Sequence, residues 1–183
     1  MGRDEILAGL PVRVEIMGAP VDPWDMSQTV EATERLIDAG AFAHLMGVNA
    51  DKLLQMKDDP WMDACVRSCE VVNADGASMV MAAERLSASL PCRVAGIDLM
   101  RELCALAERR GYPVYLLGAK PEVVMRTAEV LRGEFPEMRI VGAHDGYFGD
   151  SEWNDVAEDV RKSGAAITFV GITSPKKERP VSY

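Results

Sequence analysis

The residues with the clearest chemical potential lie in Asn73-Ala74-Asp75-Gly76. An apolar run precedes them, so a carboxylate would stand rigidly at the end of a strand. Gly76 lets the chain turn tightly and approach a ligand. On one reading, Asp75 is a general base that takes the proton from an acceptor hydroxyl. On the other, it is the N-cap of the next helix, where Asp followed by Gly is common. Gly118-Ala119-Lys120-Pro121 also leaves a strand and opens a helix. Backbone N–H groups at such a turn suit a phosphate, and Lys120 adds charge. An ordinary turn would have the same residues. Arg93, in Pro91-Cys92-Arg93-Val94-Ala95-Gly96, has the planar fork that grips a diphosphate. A solvated surface arginine is the competing reading. Asp98, just beyond, reads as a helix cap.

His144-Asp145-Gly146-Tyr147-Phe148 offers an aromatic face, with Tyr147, to a base or sugar. His144 and Asp145 alone are too few ligands for a divalent ion, so no metal site is expected. Ser174-Pro175-Lys176-Lys177-Glu178 leaves the last strand, with Arg179 behind it. Its three cations suit phosphate, and Glu178 suits orienting them or bonding a ribose. A solvated charged turn is the alternative. Met79, Met81 and Met100 read as packing.

The elements that must position these residues follow from hydrophobic period and punctuation. Strands are predicted at Val12 to Met17, Ala41 to Val48, Glu70 to Asn73, Pro113 to Leu117, Arg139 to Val141 and Ala166 to Val170. Asp25-Met26-Ser27 reads as a cap region before a helix running to about Ala39, and further helices are predicted from Ala50 to Met56, Pro60 to Ser68, Ser78 to Ala88, near Asp98 to Gly111, from Pro121, and from Ser151 to Lys162. Alternation of this kind predicts an α/β, Rossmann-like fold, a mainly parallel sheet with helices on both faces. Ligands of such sheets bind outside the carboxyl ends of the strands. Asn49, Asn73 to Gly76, Gly118 to Pro121, Gly142 to Phe148 and Gly171 to Glu178 are therefore expected on one rim.

The bulk properties narrow the partners. The 183 residues suit a single domain. A net charge of −9 argues against nucleic acid. No long apolar run suggests a membrane span, and the opening residues do not read as a signal peptide. Cys65, Cys69, Cys92 and Cys104 form no C-x-x-C pair and read as reduced thiols, which fits a cytoplasmic location. No G-x-G-x-x-G occurs, which argues against a dinucleotide oxidoreductase.

Taken together, the segments are more specific than any one of them. Asn49, V-N-A-D-G (Val72 to Gly76), R-V-A-G-I-D-L (Arg93 to Leu99), Y-L-L-G-A-K-P (Tyr115 to Pro121), I-V-G-A-H-D-G-Y-F (Ile140 to Phe148) and F-V-G-I-T-S-P-K-K-E (Phe169 to Glu178) occur in that order. The chain thereby resembles the WecG/TagA/CpsF glycosyltransferase family. The resemblance implies an inverting, metal-independent transfer of an N-acetylmannosamine-type sugar, or its uronic acid, from a UDP-sugar. The implied acceptor is polyprenyl-diphosphate-linked N-acetylglucosamine, in cell-surface polysaccharide assembly. It implies Asp75 as the base, with Asn49 and Arg93 in the pocket. Gly76, Gly118, Lys120, Gly146, Tyr147, Gly171, Lys177 and Glu178 complete the expected substrate-binding set. No cofactor is implied. The location implied is peripheral, at the inner face of the cell membrane, and homo-oligomers are compatible with it. A nucleotide-sugar-binding module without transfer is the competing function.

Two positions depart from the family pattern. Gly47 stands where many members have threonine, and Lys177 where many have glutamine. Members also continue past Glu178 with further basic residues. The expectation is a single glycosyltransferase domain over residues 1–183 that lacks the family's C-terminal segment and transfers poorly to a lipid acceptor.

Overall fold

A computed structural model describes residues 2–174 together with Lys176 and Glu178. The chain divides into two compact units, Met1–Leu99 and Met100–Tyr183.

The first unit runs α1 (Arg3–Ile6), β1 (Val14–Ile16), β2 (Ala19–Val21), α2 (Met26–Asp38), β3 (Leu45–Val48), α3 (Ala50–Asp58), α4 (Pro60–Ser68), β4 (Val71–Ala74) and α5 (Ala77–Arg85). β1 and β2 form an antiparallel hairpin. Met17 and Gly18, at φ of 51° and 86°, make its turn. The expected first strand therefore stops at Ile16. Its partner β2 was not foreseen, because Pro20 breaks a strand pattern. α2 starts as its sequence suggests, with a reciprocal capping box between Asp25 and Gln28. Gly40 follows it at φ 64°.

β3 and β4 pair in parallel, with Gly47 opposite Asn73. Side chains alternate across a strand. Met46, Val48, Val72 and Ala74 join Met56, Met62, Val66 and Met79 in one buried cluster. Leu45 and Val71 join Trp24, Ala32 and Leu36 in another. Helices thus cover both faces of the pair, and Gly47 and Asn73 fall on the second face.

A buried carboxylate ties the hairpin to β4. Asp22 accepts from Arg3 Nη2 at 2.6 Å, and from Arg13 Nε at 2.9 Å and Nη2 at 2.8 Å. It also accepts from the Val72 N–H at 2.8 Å, and its own N–H donates to the Val72 carbonyl.

α6 (Gly96–Arg110) carries the chain into the second unit, which continues with β5 (Val114–Gly118), α7 (Pro121–Glu134), β6 (Ile140–His144), α8 (Trp153–Ser163) and β7 (Ile167–Gly171). Its strands are parallel in the order β6-β5-β7. Tyr115 and Leu117 pack with Phe148, Val156 and Ile172. Tyr115 lies over Gly142, where an added β-carbon would sit 2.3 Å from the ring. Its hydroxyl donates to Asp159 at 2.5 Å. Burial, reinforced by that carboxylate, raises the tyrosine pKa.

The fold is α/β with parallel pairing in β3-β4 and in β6-β5-β7, consistent with a Rossmann-like class. Among the described residues no helix is long and apolar enough to cross a membrane. One packing expectation fails. Met79 is fully buried, but Met81 is 56% exposed. Two residues along a helix turn roughly 200°, so both cannot face one core.

The thiols give a simple check. Cys65, Cys69 and Cys104 are buried, whereas Cys92 is partly open. Burial pushes the Cys104 thiol up to about 11, so it remains protonated at neutral pH. A disulfide reagent should titrate Cys92 rapidly in the native protein and all four thiols in denaturant. Fast reaction of more than one native thiol would contradict this packing.

Candidate active site

In the first unit, the polar segments after β3 and β4 meet. Asn49 is the N-cap of α3, its side chain accepting from the Lys52 N–H at 3.0 Å. The Asp75 N–H donates to the Val48 carbonyl at 2.9 Å, which continues the parallel ladder one residue further. A β-carbon on Gly76 would lie 3.2 Å from that of Asn49, so the turn after β4 fits closely against Asn49.

The segment before α6 is strapped to the end of β4. Val94 N–H donates to the Ala74 carbonyl at 2.9 Å, and Asn73 Nδ2 donates to the Val94 carbonyl at 2.6 Å. Arg93 is thereby set beside Asp75, and its Nε donates to the Asp75 carbonyl at 3.2 Å. Its terminal guanidinium nitrogens make no hydrogen bond among the described residues. They form a fork open to a ligand.

Asp75 does not cap the helix that follows it. The N-cap of α5 is Gly76, with no side-chain hydrogen bond. Instead, Asp75 Oδ1 accepts from the Gly96 N–H at 3.1 Å. Gly96 is the first residue of α6, and the first N–H groups of a helix have no partner within it. One carboxylate oxygen is thus anchored. The other, Oδ2, accepts no hydrogen bond among the described residues. The group is half-buried. A carboxylate fixed by one oxygen and open at the other can take a proton in a defined direction.

Asn49, Asp75, Gly76 and Arg93 are therefore neighbours in one cluster. Sequence reading missed Asn73 and Gly96 as its supports. Asn73 stands in the same motif as Asp75, but its partner Val94 lies far along the chain. Nothing local to Gly96 marks it as the donor to Asp75.

In the second unit, glycines knit the strand ends together. Gly118 has φ 133°, and an added β-carbon would lie 2.4 Å from the Gly171 carbonyl carbon. Ala119 N–H donates to the Gly171 carbonyl at 3.0 Å, and Gly146 N–H to the Ala119 carbonyl at 2.8 Å. Gly118, Gly146 and Gly171 thus meet through their backbones. Lys120 is exposed at the N-cap of α7 and makes no side-chain cap. Tyr147 is 71% exposed. Asp145 accepts from the Tyr147 N–H at 2.7 Å, and His144 Nδ1 lies 2.8 Å from the Asp145 carbonyl. Among the described residues, no group of three or more His, Cys, Asp and Glu is gathered as a metal would require.

Lys176 and Glu178 do not behave as a solvated turn. Glu178 is fully buried. Lys176 Nζ donates to the Phe148 carbonyl at 2.5 Å and to that of Gly146 at 3.4 Å. It also lies 4.6 Å from the centre of the Phe148 ring. Lys177 and Arg179 lie outside the described residues. Lys176→Met should lower the stability of the second unit by about 1.5–3 kcal/mol, the scale of hydrogen bonds to a charged group. An unchanged melting curve would free Lys176 for a ligand.

A family model for the glycosyl transferase WecG/TagA/CpsF family matches residues 14–182, most of the chain. The chain belongs to that family, and membership implies a glycosyltransferase of cell-surface polysaccharide synthesis.

Proposed function

For this member of the family, we propose an inverting transfer of an N-acetylmannosamine-type sugar from a UDP-sugar to polyprenyl-diphosphate-linked N-acetylglucosamine, with Asp75 as the general base. The single observation that carries it is the Asp75 carboxylate, with Oδ1 held by the Gly96 N–H and Oδ2 uncommitted among the described residues.

The reaction needs three things. The acceptor hydroxyl must lose its proton, oxocarbenium-like charge must be tolerated, and negative charge on the leaving diphosphate must be offset. As the acceptor oxygen bonds to the anomeric carbon, the carbon–oxygen bond to the diphosphate breaks on the opposite face. Its electron pair leaves with the UDP. The acceptor proton passes to Asp75 Oδ2. That transfer comes late, when the attacked hydroxyl has gained positive character and is acidic. Fixing Oδ1 avoids reorganising the base at that moment.

Arg93 is the proposed diphosphate contact. Its Nε is already engaged by the Asp75 carbonyl, which leaves the terminal nitrogens for two phosphoryl oxygens. Asn49 and Gly76 are proposed to shape the pocket beside the base. In the second unit, Gly118, Lys120, Gly146, Tyr147 and Gly171 are proposed substrate-binding positions. Lys177 completes the proposed set; Glu178, fully buried, is not placed among the groups that touch substrate. The transfer is proposed to need no metal and to occur at the inner face of the membrane, with the protein attached peripherally.

A donor panel tests the chemistry. The chain is incubated with polyprenyl-diphosphate N-acetylglucosamine and, in turn, UDP-linked N-acetylmannosamine, its uronic acid, N-acetylglucosamine and glucose. Transfer of a mannosamine-type sugar with inverted anomeric configuration, undiminished by a chelator, is expected. Binding of UDP-sugars with no transfer from any of them would point instead to a binding module.

A further inference from the structure

Asn73 is the polar residue in a strand, β4, whose residues are all buried. It is 4% exposed, and its side-chain amide donates to the Val94 carbonyl at 2.6 Å, across 21 residues of chain. We infer that Asn73 is a positioning residue that sets the base and the diphosphate contact together, because its amide holds the strap that carries both Arg93 and Gly96. The inference rests on the reading of Asp75 as the base and of Arg93 as the diphosphate contact.

A buried amide is costly unless it is bonded. Here the bond goes to the strap. The end of β4 grips Val94 at both of its polar groups: the Ala74 carbonyl accepts from its N–H at 2.9 Å, and Asn73 donates to its carbonyl. Either bond alone would leave the strap free to turn about it. Together they fix the peptide units on both sides of Val94. Arg93 comes immediately before that grip and Gly96 two residues after it. The Ala95 carbonyl accepts from the Leu99 N–H at 2.9 Å, so α6 starts directly behind the clasp. Val94 and Ala95 are buried, whereas Arg93 and Gly96 are exposed.

The polarity of the clasp is matched. Asn73 and Asp75 stand two residues apart along the ladder, so their side chains leave it on the same face. Asn73 offers a donor to a carbonyl of the strap, and Asp75 offers an acceptor to an N–H of the strap. Losing the donor at Asn73 frees the Val94 carbonyl to turn. Arg93 and Gly96 then move with it, and the 3.2 Å and 3.1 Å bonds that tie them to Asp75 are disturbed at once.

The experiment uses the full chain with glycine labelled by 15N, the Gly96 amide being assigned by its loss in Gly96→Ala. Asn73→Leu keeps the bulk of the side chain and removes the donor. In this variant the Gly96 resonance should move toward the position it takes in Asp75→Ala. UDP should bind about tenfold more weakly, the low end for losing a hydrogen bond to a charged group. The kcat should fall by about a hundredfold, the scale for an ångström of misplacement. In an Arg93→Met background, Asn73→Leu should weaken UDP binding no further, because it acts through Arg93. A lower melting temperature with the Gly96 resonance and UDP affinity unchanged would overturn the inference, leaving Asn73 a packing residue. So would equal losses of UDP affinity from Asn73→Leu with and without Arg93. Normal turnover by Asp75→Asn sinks the base reading instead, and unchanged UDP affinity in Arg93→Met sinks the diphosphate reading. The Gly96 resonance then decides the claim for Asn73 separately. If Asn73→Leu does not fold, Asn73→Ala, which lacks the donor and cannot overpack, carries the same expectations.

Discussion

Asp22→Ala should destabilise the first unit by about 3–5 kcal/mol, the scale for removing one partner of a buried ion pair. The Asp22 side chain is 1% exposed, and those of Arg3 and Arg13 are 25% and 19% exposed. Its loss leaves Arg13 without a carboxylate, Arg3 with only the exposed Asp4, and the buried Val72 N–H without an acceptor. Each of those groups was removed from water in exchange for Asp22. Arg13 keeps its bonds to the carbonyls of Cys69 and Glu70, and Arg3 keeps one to Glu70, so the hairpin retains some hold. Asp22→Asn should cost less, because an amide oxygen still accepts from one donor. The check is a denaturant titration that follows the buried Trp24. A midpoint shift worth less than about 1 kcal/mol would show that the cluster is a surface-like pair. Val72 immediately precedes Asn73, so Asp22 also anchors the strand that presents Asp75.

Much of this arrangement was legible in the sequence because it is local. The Asp25 cap, the Pro60 and Pro121 helix starts and the strand end at Val48 follow from side chains acting on their own neighbours; β5 runs one residue past the expected Leu117. The motif around Asp75 was legible for the same reason, since a small polar turn after an apolar run marks the carboxyl end of a strand. What escaped was contact between distant segments. Asp75 looked equally like an N-cap, and a cap is what it is, but of α6 rather than α5. The choice is decided by Gly96, which only the pinning of Val94 to Ala74 brings near. β2 was hidden by Pro20, and α1 is too short to show a period. Lys176 was read as a cation for phosphate, and only its contacts with Phe148 and Gly146 reveal a structural hold.

The second large effect concerns Asp75, and it separates chemistry from capping. Asn is nearly isosteric with Asp, and its amide oxygen can still accept from Gly96. Asp75→Asn should therefore keep the fold, the α6 anchor and donor affinity. It cannot take up the acceptor proton, so transfer should fall by roughly a hundredfold or more, the scale for losing a general base. Asp75→Ala should lose the same activity and, in addition, about 1 kcal/mol of stability through the lost cap. The deciding measurement is the initial rate of sugar transfer to the lipid-linked acceptor, for wild type and Asp75→Asn, at saturating donor and with melting temperatures taken alongside. The expected result is an unchanged melting temperature and a rate lowered at least about a hundredfold. Near-normal turnover by Asp75→Asn would contradict it, leaving Asp75 as the anchor of α6 and nothing more.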